Sequence, residues 1–361
     1  MSTIHPSITS RVVAAHGNRV HLLEAGNGPL VLLVHGFPEV SYSWRYQLPV
    51  LAAAGYRAVA VDQLGYGRSS KPALLEGYRM TEIVATLEGV IEALGEKTAV
   101  IVGHDWGAPV AWSAAWMRPE IFTAVVAVGV PFGGRGQMAF PGSVLGEMKP
   151  RDIERKIAGP DLMFYQEYFR QPGVPEREME QDVRGWLTDV YYSFSGSAPL
   201  PPVDPDAPVK PAATDLESTF ENLRNSGLCM VPGTNFRDRC VSPDVLPEWL
   251  PQEDLDYYVA EFERTGFTGS LNNYYRSLDL NWEVLGPWEG KPVEVPALFV
   301  TADRDGPMLW AAEALERMKE SVPLLRKTVI FDNCGHWIPQ ERRDDFNELL
   351  LEFLADVKPV G

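Results

Sequence analysis

Gly103-His104-Asp105-Trp106-Gly107 sets an aspartate between glycines, directly after the apolar run Ala99-Val100-Ile101-Val102 and before a helix-like stretch over 108–116. Glycines at a strand-to-helix junction let the chain turn tightly and lift one side chain clear of a sheet. A serine there would need a base to remove its proton before it could attack a carbonyl. An aspartate is already an anion at neutral pH and can attack a saturated carbon, leaving an alkyl ester on the enzyme. The residue type therefore points to the opening of C–O or C–halogen bonds. An aspartate after a buried strand can also do no more than cap the next helix, so further parts are required.

Three such parts occur in a suitable order. His35-Gly36-Phe37-Pro38-Glu39 follows the apolar run Leu30-Val31-Leu32-Leu33-Val34. In a fold with such an elbow this loop supplies one N–H of an oxyanion hole and the residue after the nucleophile the other, so Phe37 and Trp106 are the expected backbone donors. Of the six histidines, only His336 lies in the core region after the elbow, beyond the last strand-like run and before an amphipathic C-terminal stretch. It is the candidate to activate water against an ester. An acid must orient that imidazole, and Thr301-Ala302-Asp303-Arg304-Asp305 ends the penultimate strand-like run. Spacing alone leaves Asp303 and Asp305 both open. Asp332 lies on the histidine's own strand and is poorly placed, while Pro131-Phe132-Gly133-Gly134 offers no carboxylate.

The elements that must position these residues read as short apolar runs alternating with helical patterns. Runs at 30–34, 58–61, 99–102 and 124–128 alternate with stretches such as 83–94, which has helix spacing, and the strand signal returns at 296–300 and 328–331. Runs apolar on both faces and separated by helices predict a mostly parallel sheet wrapped by helices. Between them, residues from 132 to about 291 are rich in aromatics and amphipathic segments, interrupted by a Pro-rich stretch at 197–213 that reads as a loop. The expected fold class is α/β: a core over 1–131 and 292–361, with an inserted, mainly helical cap over 132–291 above the C-terminal edge of the sheet.

Composition narrows the partners. The chain has 361 residues, 45% hydrophobic and 22% charged, in the range of a soluble globular protein. A net charge of −17 argues against a nucleic-acid partner, which needs clustered Lys and Arg. Cys229, Cys240 and Cys334 form neither a disulfide framework nor a metal-ligand pattern. No secretory pattern opens the chain, and its longest apolar run falls far short of the ~20 residues needed to cross a membrane. A reducing, cytoplasmic setting without membrane attachment is the expectation.

Taken with Asp62-Gln63-Leu64-Gly65-Tyr66-Gly67-Arg68-Ser69-Ser70 and Cys334-Gly335-His336-Trp337, these segments make the chain similar to the soluble epoxide hydrolases of the α/β-hydrolase superfamily, close to the bacterial ones. The resemblance runs from about residue 29 to 340. It implies that the triad acid is the second aspartate, Asp305. It also implies two cap tyrosines that donate to the epoxide oxygen. Phe164-Tyr165-Gln166-Glu167-Tyr168-Phe169-Arg170-Gln171-Pro172-Gly173 places the first at Tyr165. Leu271-Asn272-Asn273-Tyr274-Tyr275-Arg276, counted back from Arg276 and Asn281-Trp282, places the second at Tyr275 over its neighbour Tyr274.

Epoxide opening produces an alkoxide that benefits from a proton donor, and phenols remain protonated at neutral pH. Halide departure needs no proton. Haloalkane dehalogenases also place tryptophan after their aspartate but usually carry Asn or Glu where this chain has Phe37. Fluoroacetate-type dehalogenases usually carry arginine where it has Trp106. The resemblance thus implies hydrolysis of a small-molecule epoxide by water with no metal or organic cofactor, and it favours a homodimer. The alternatives are a haloalkane dehalogenase and a non-catalytic ligand-binding homologue.

Overall fold

A computed structural model describes residues 5–199 and 215–357. Most of the Pro-rich 197–213 segment lies outside the described residues. The chain opens with an antiparallel hairpin, β1 (Thr9–Ala15) and β2 (Asn18–Ala25), that the apolar pattern does not reveal. Its two-residue turn is His16-Gly17, with φ of 46° and 75°. Positive φ at both turn residues matches the right-handed twist of the paired strands. The outer strand β1 is largely exposed, so a hydrophobic run was not there to be read.

The remaining strands of the main sheet are β3 (Leu30–Val34), β4 (Arg57–Val61), β5 (Ala99–His104) and β6 (Phe122–Val128) before the insertion. A two-residue ladder, β7 (Met163–Phe164) and β8 (Cys229–Met230), lies inside the insertion. After it come β9 (Ala297–Ala302) and β10 (Leu325–Phe331). The eight-stranded order is β1-β2-β4-β3-β5-β6-β9-β10, and every pairing from β4 onward is parallel. Both β3 and β5 are buried along their whole length, as continuous Val/Ile/Leu runs require when helices cover both faces. Strand β10 is a half-exposed edge, charged with Arg326 and Lys327, which blunts pairing with another chain.

Parallel strands end on the same edge. The loops after β3, β5, β6, β9 and β10 therefore converge, and they carry His35–Glu39, Asp105, Gly129, Asp305 and His336. The insertion between β6 and β9 is mainly helical, including Pro150–Ala158, Tyr165–Arg170, Val183–Ser193, Gln252–Thr265 and Thr268–Asn273. It seats on that edge through specific bonds. Tyr191 donates to the Pro38 carbonyl at 2.6 Å, Asn273 donates to the Leu64 carbonyl at 2.8 Å, and Arg45 pairs with Asp254 at 2.6 Å. No helix among the described residues is long and apolar enough to cross a membrane.

The turn after β5 is as tight as its glycines suggest. A Cβ on Gly103 would lie 2.0 Å from the Gly107 carbonyl oxygen, and one on Gly107 would lie 2.1 Å from that of Val34. Gly103→Ala should therefore cost roughly 1–3 kcal/mol, the usual scale for forced overpacking, seen as a lower urea midpoint. An unchanged midpoint would show that the junction has slack that these approaches deny.

Candidate active site

Asp105 sits at φ 52°, a left-handed conformation rare outside glycine and asparagine. Its amide bonds to the Val128 carbonyl at 3.1 Å and its carbonyl accepts the Ala108 amide at 3.0 Å. Strand and helix thus hold the strained residue from both sides, and strain at a functional site persists only where its surroundings over-determine it. Gly36 crosses directly over the carboxylate: a Cβ there would lie 2.2 Å from Asp105 Oδ1. This close pass allows the Phe37 N–H to donate to Asp105 Oδ1 at 2.7 Å. Of the two expected amide donors, Phe37 is engaged. The Trp106 amide has no acceptor among the described residues.

His336 Nε2 faces the other oxygen, Asp105 Oδ2, at 3.2 Å, while its Nδ1 meets Asp305 Oδ1 at 2.7 Å. Burial disfavours the imidazolium, but the Asp305 charge and hydrogen bonds to both carboxylates outweigh it, raising the pKa well above the ordinary value. Asp305 is 2% exposed. Asp303 points to solvent and accepts the Cys334 amide at 3.2 Å. The packing of the β9 loop thus separates two aspartates that spacing could not.

Beneath these residues lies a set of contacts that sequence reasoning did not assign. Glu39 and His104, each 1% exposed, pair at 2.9 Å, and His104 Nε2 donates to the His336 carbonyl at 2.8 Å. The two nitrogens of His104 thus face two different partners, the Glu39 carboxylate and the His336 carbonyl. Burial would raise the Glu39 pKa, but the His104 charge and hydrogen bond bring it down to about 2. Glu39 also accepts the Gly36 amide at 3.3 Å and the Gln340 side chain at 2.9 Å. One buried ion pair therefore ties the Gly36-Phe37 loop to the backbone of His336. His35 stays neutral by burial. Its Nε2 accepts the Gln63 amide at 3.1 Å, and its Nδ1 donates to the Gly36 carbonyl at 2.8 Å. The only signal in the chain was that Glu39 and His104 stand inside the motifs already singled out.

Above the carboxylate opens a cavity of about 370 Å³, lined by Phe37, Asp105, Trp106, Tyr165, Tyr275 and His336 among others. Tyr275 stands edge-on to Trp106 at 5.1 Å and to Phe37 at 5.4 Å. Tyr274 instead stacks on Trp106 at 3.6 Å and does not line the cavity. Burial, joined by the Asp105 charge, raises the pKa of Tyr165 and lifts that of Tyr275 well above the ordinary value, so both stay protonated. The side chain of Gln166 donates to the Tyr165 hydroxyl at 3.0 Å, which leaves the phenol proton for another acceptor. Arg170 links the two tyrosine-bearing segments. It ends the helix that Tyr165 begins, its Nε donates to the Tyr275 carbonyl at 2.9 Å, and it is paired with buried Glu154.

These parts define an α/β hydrolase with a carboxylate, not a hydroxyl, at its elbow and two tyrosines lining the same cavity. Residues 29–198 match the α/β-hydrolase fold family. The chain is 43% identical to epoxide hydrolase B of Mycobacterium tuberculosis over 99% of this chain and 100% of that one, and 37% identical to epoxide hydrolase A of the same organism over 97% and 98%. Among solved structures, it superposes on an epoxide hydrolase from an endophytic Streptomyces with a TM-score of 0.86 and 44% identity, covering 98% and 97%. Epoxide hydrolase A of Mycobacterium thermoresistibile gives 0.81 and 36%, covering 96% and 98%. The chain belongs to the epoxide hydrolases.

The flanking carboxylates make the charge of His336 measurable. Its raised pKa stabilises the folded state fully below pH 6.5, and that contribution is lost as pH rises through the folded value. A histidine NMR titration should find His336 protonated above its ordinary range, and Asp105→Asn should lower the value and flatten the loss of stability. An identical titration in that variant would remove Asp105 as a source of the shift.

Proposed function

We propose that this enzyme converts epoxides to vicinal diols in two steps through an alkyl ester on Asp105. The observation that carries the reading is the single carboxylate held between the Phe37 N–H and His336 Nε2, facing a cavity that Tyr165 and Tyr275 also line. Oδ1 is engaged by Phe37, so Oδ2 is the attacking oxygen. It forms a bond to one ring carbon as the C–O bond opposite breaks, and the departing electron pair on oxygen takes a proton from Tyr165 or Tyr275. The residues at 132–291 act as the cap that brings these donors over the core at 1–131 and 292–361.

Alkylation changes the electrostatics of its neighbour. Once Asp105 is a neutral ester, His336 loses one of the two charges that favour its imidazolium. Its proton passes to the tyrosinate left by ring opening, and His336 becomes a base at the moment when a base is needed. His336, oriented by Asp305, takes a proton from water as the water oxygen attacks the ester carbonyl. The N–H groups of Phe37 and Trp106 stabilise the resulting oxyanion. Collapse expels the diol oxygen, which takes the proton left on the carboxyl group, and Asp105 returns as a carboxylate beside the imidazolium. No step calls on a metal or an organic cofactor. Three free cysteines suit a reducing, cytoplasmic setting.

The same aspartate could in principle displace halide, and one experiment separates the two chemistries. His336→Gln incubated with an epoxide should accumulate an adduct heavier by the whole mass of that epoxide, and the wild type should release diol from it. A haloalkane should give neither adduct nor free halide. Absence of an epoxide adduct would defeat the two-step scheme, and halide release without diol would turn the assignment to a dehalogenase. Tyr275→Phe and Tyr165→Phe should each lower alkylation roughly tenfold to a thousandfold, the range for a lost transition-state donor. Full burst rates in both variants would exclude the phenols as donors.

A further inference from the structure

The cavity has a second chemically distinct wall. Beyond the aromatic ring of Phe236 lies Arg239, a half-buried lining residue. The Phe236 ring is centred 6.3 Å from that of Tyr165, and the Arg239 guanidinium carbon lies 4.9 Å from the Phe236 centroid. Arg239 is the only arginine or lysine among the described residues that line the cavity. Its Nη1 donates to the carbonyls of Gly227 and Cys229. Among the described residues, neither its buried Nε nor its Nη2 has a hydrogen-bond partner.

Among the described residues, no carboxylate bonds to it, and this stands out in an acidic chain. Asp and Glu number 49 against 32 Lys and Arg, so unpaired cations are not forced by a shortage of acids. Arg237, two residues away, has both Asp182 and Asp189. The carboxylate whose field Arg239 feels is that of Glu178. That group is already occupied by the Phe236 and Arg237 amides, the Trp186 indole and the Tyr168 hydroxyl. Burial lowers the pKa of Arg239 where neighbouring carboxylates raise that of Arg237. A cation desolvated without a counter-charge is costly to hold. An anion brought in by the substrate would supply the missing partner, through charge-assisted bonds to a planar donor.

Building on the hydrolase reading, we infer that Arg239 forms an anion-binding subsite at the far end of the substrate cavity and selects epoxides that carry a carboxylate beyond an apolar spacer. The spacer would lie along Phe169, Trp186, Leu228 and Phe236, which line the cavity and offer it no charge. The epoxide end would reach Asp105 and the two phenols.

Matched pairs of ω-epoxy alkanoates and their methyl esters, in a series of chain lengths, test this directly. The wild type should show a higher kcat/KM for the acid than for the ester at the best-fitting length, chiefly through a lower KM. Arg239→Gln should reduce the acid-to-ester ratio by about tenfold or more, the scale of one charge-assisted contact, and Arg239→Lys should restore part of it. A ratio unchanged by Arg239→Gln would overturn the subsite and leave the arginine as a tie for the Gly227 and Cys229 carbonyls. Should Arg239→Gln fail to fold, competitive inhibition of the wild type decides: alkanoates should outcompete the matching alkanols, and equal or weaker inhibition overturns the proposal. Ester turnover without acid preference defeats the subsite alone. Failure of every acid and ester to turn over defeats the hydrolase reading and the subsite with it.

Discussion

The backbone crossing at Asp105 is the constraint on which the site depends. The loop after β3 must pass over the carboxylate with no side chain between, and the elbow must close on itself without a Cβ at 103 or 107. Only then does the Phe37 N–H reach Oδ1 while Oδ2 stays open to His336 and the cavity. The positive φ of Asp105 follows from the same closure. Its cost is met by β5 on one side and the helix Gly107–Met117 on the other, both packed into the middle of the sheet.

Charge below the elbow is arranged with equal economy. The Glu39–His104 pair is fully buried and makes further bonds to Gly36, Gln340 and the His336 carbonyl. Buried ion pairs are poor sources of stability unless their remaining bonding capacity is used, and here it is spent on two loops that must keep register. Both loops leave parallel strands of the sheet, and Gln340 joins them a second time through Glu39. The ion pair is best understood as the tie between them.

The inserted helices do comparable work from above. They bond to the loops after β3 and β4 and to the helical turn after the Phe37 loop through Tyr191, Asn273 and Asp254. Arg170 then joins the helix of Tyr165 to the carbonyl of Tyr275. Two phenols more than a hundred residues apart in sequence are thereby held with ring centroids 6.4 Å apart. Their protonation is a consequence of the same enclosure, because burial penalises the phenolate.

The positions of Asp105 and His336 were legible because they depend on local pattern: an apolar run, a glycine-flanked turn and a following helix are properties of consecutive residues. The parallel sheet was legible for the same reason, since its central strands are apolar on both faces. The β1–β2 hairpin was not, because an exposed edge strand has no apolar run and its turn is made by His16 with Gly17. The two-residue ladder of β7 and β8 is too short to have a period. Spacing left Asp303 and Asp305 equivalent, and only the packing of the β9 loop sends one to solvent and the other to the imidazole. Family resemblance, not periodicity, distinguished Tyr275 from Tyr274, and in the structure one lines the cavity while the other stacks beneath it. Glu39 and His104 stood inside recognised motifs with nothing to show that they pair, and Arg239 had no sequence signature at all. What each of them meets, or fails to meet, is set by segments distant in the chain, and only the folded packing brings those segments together.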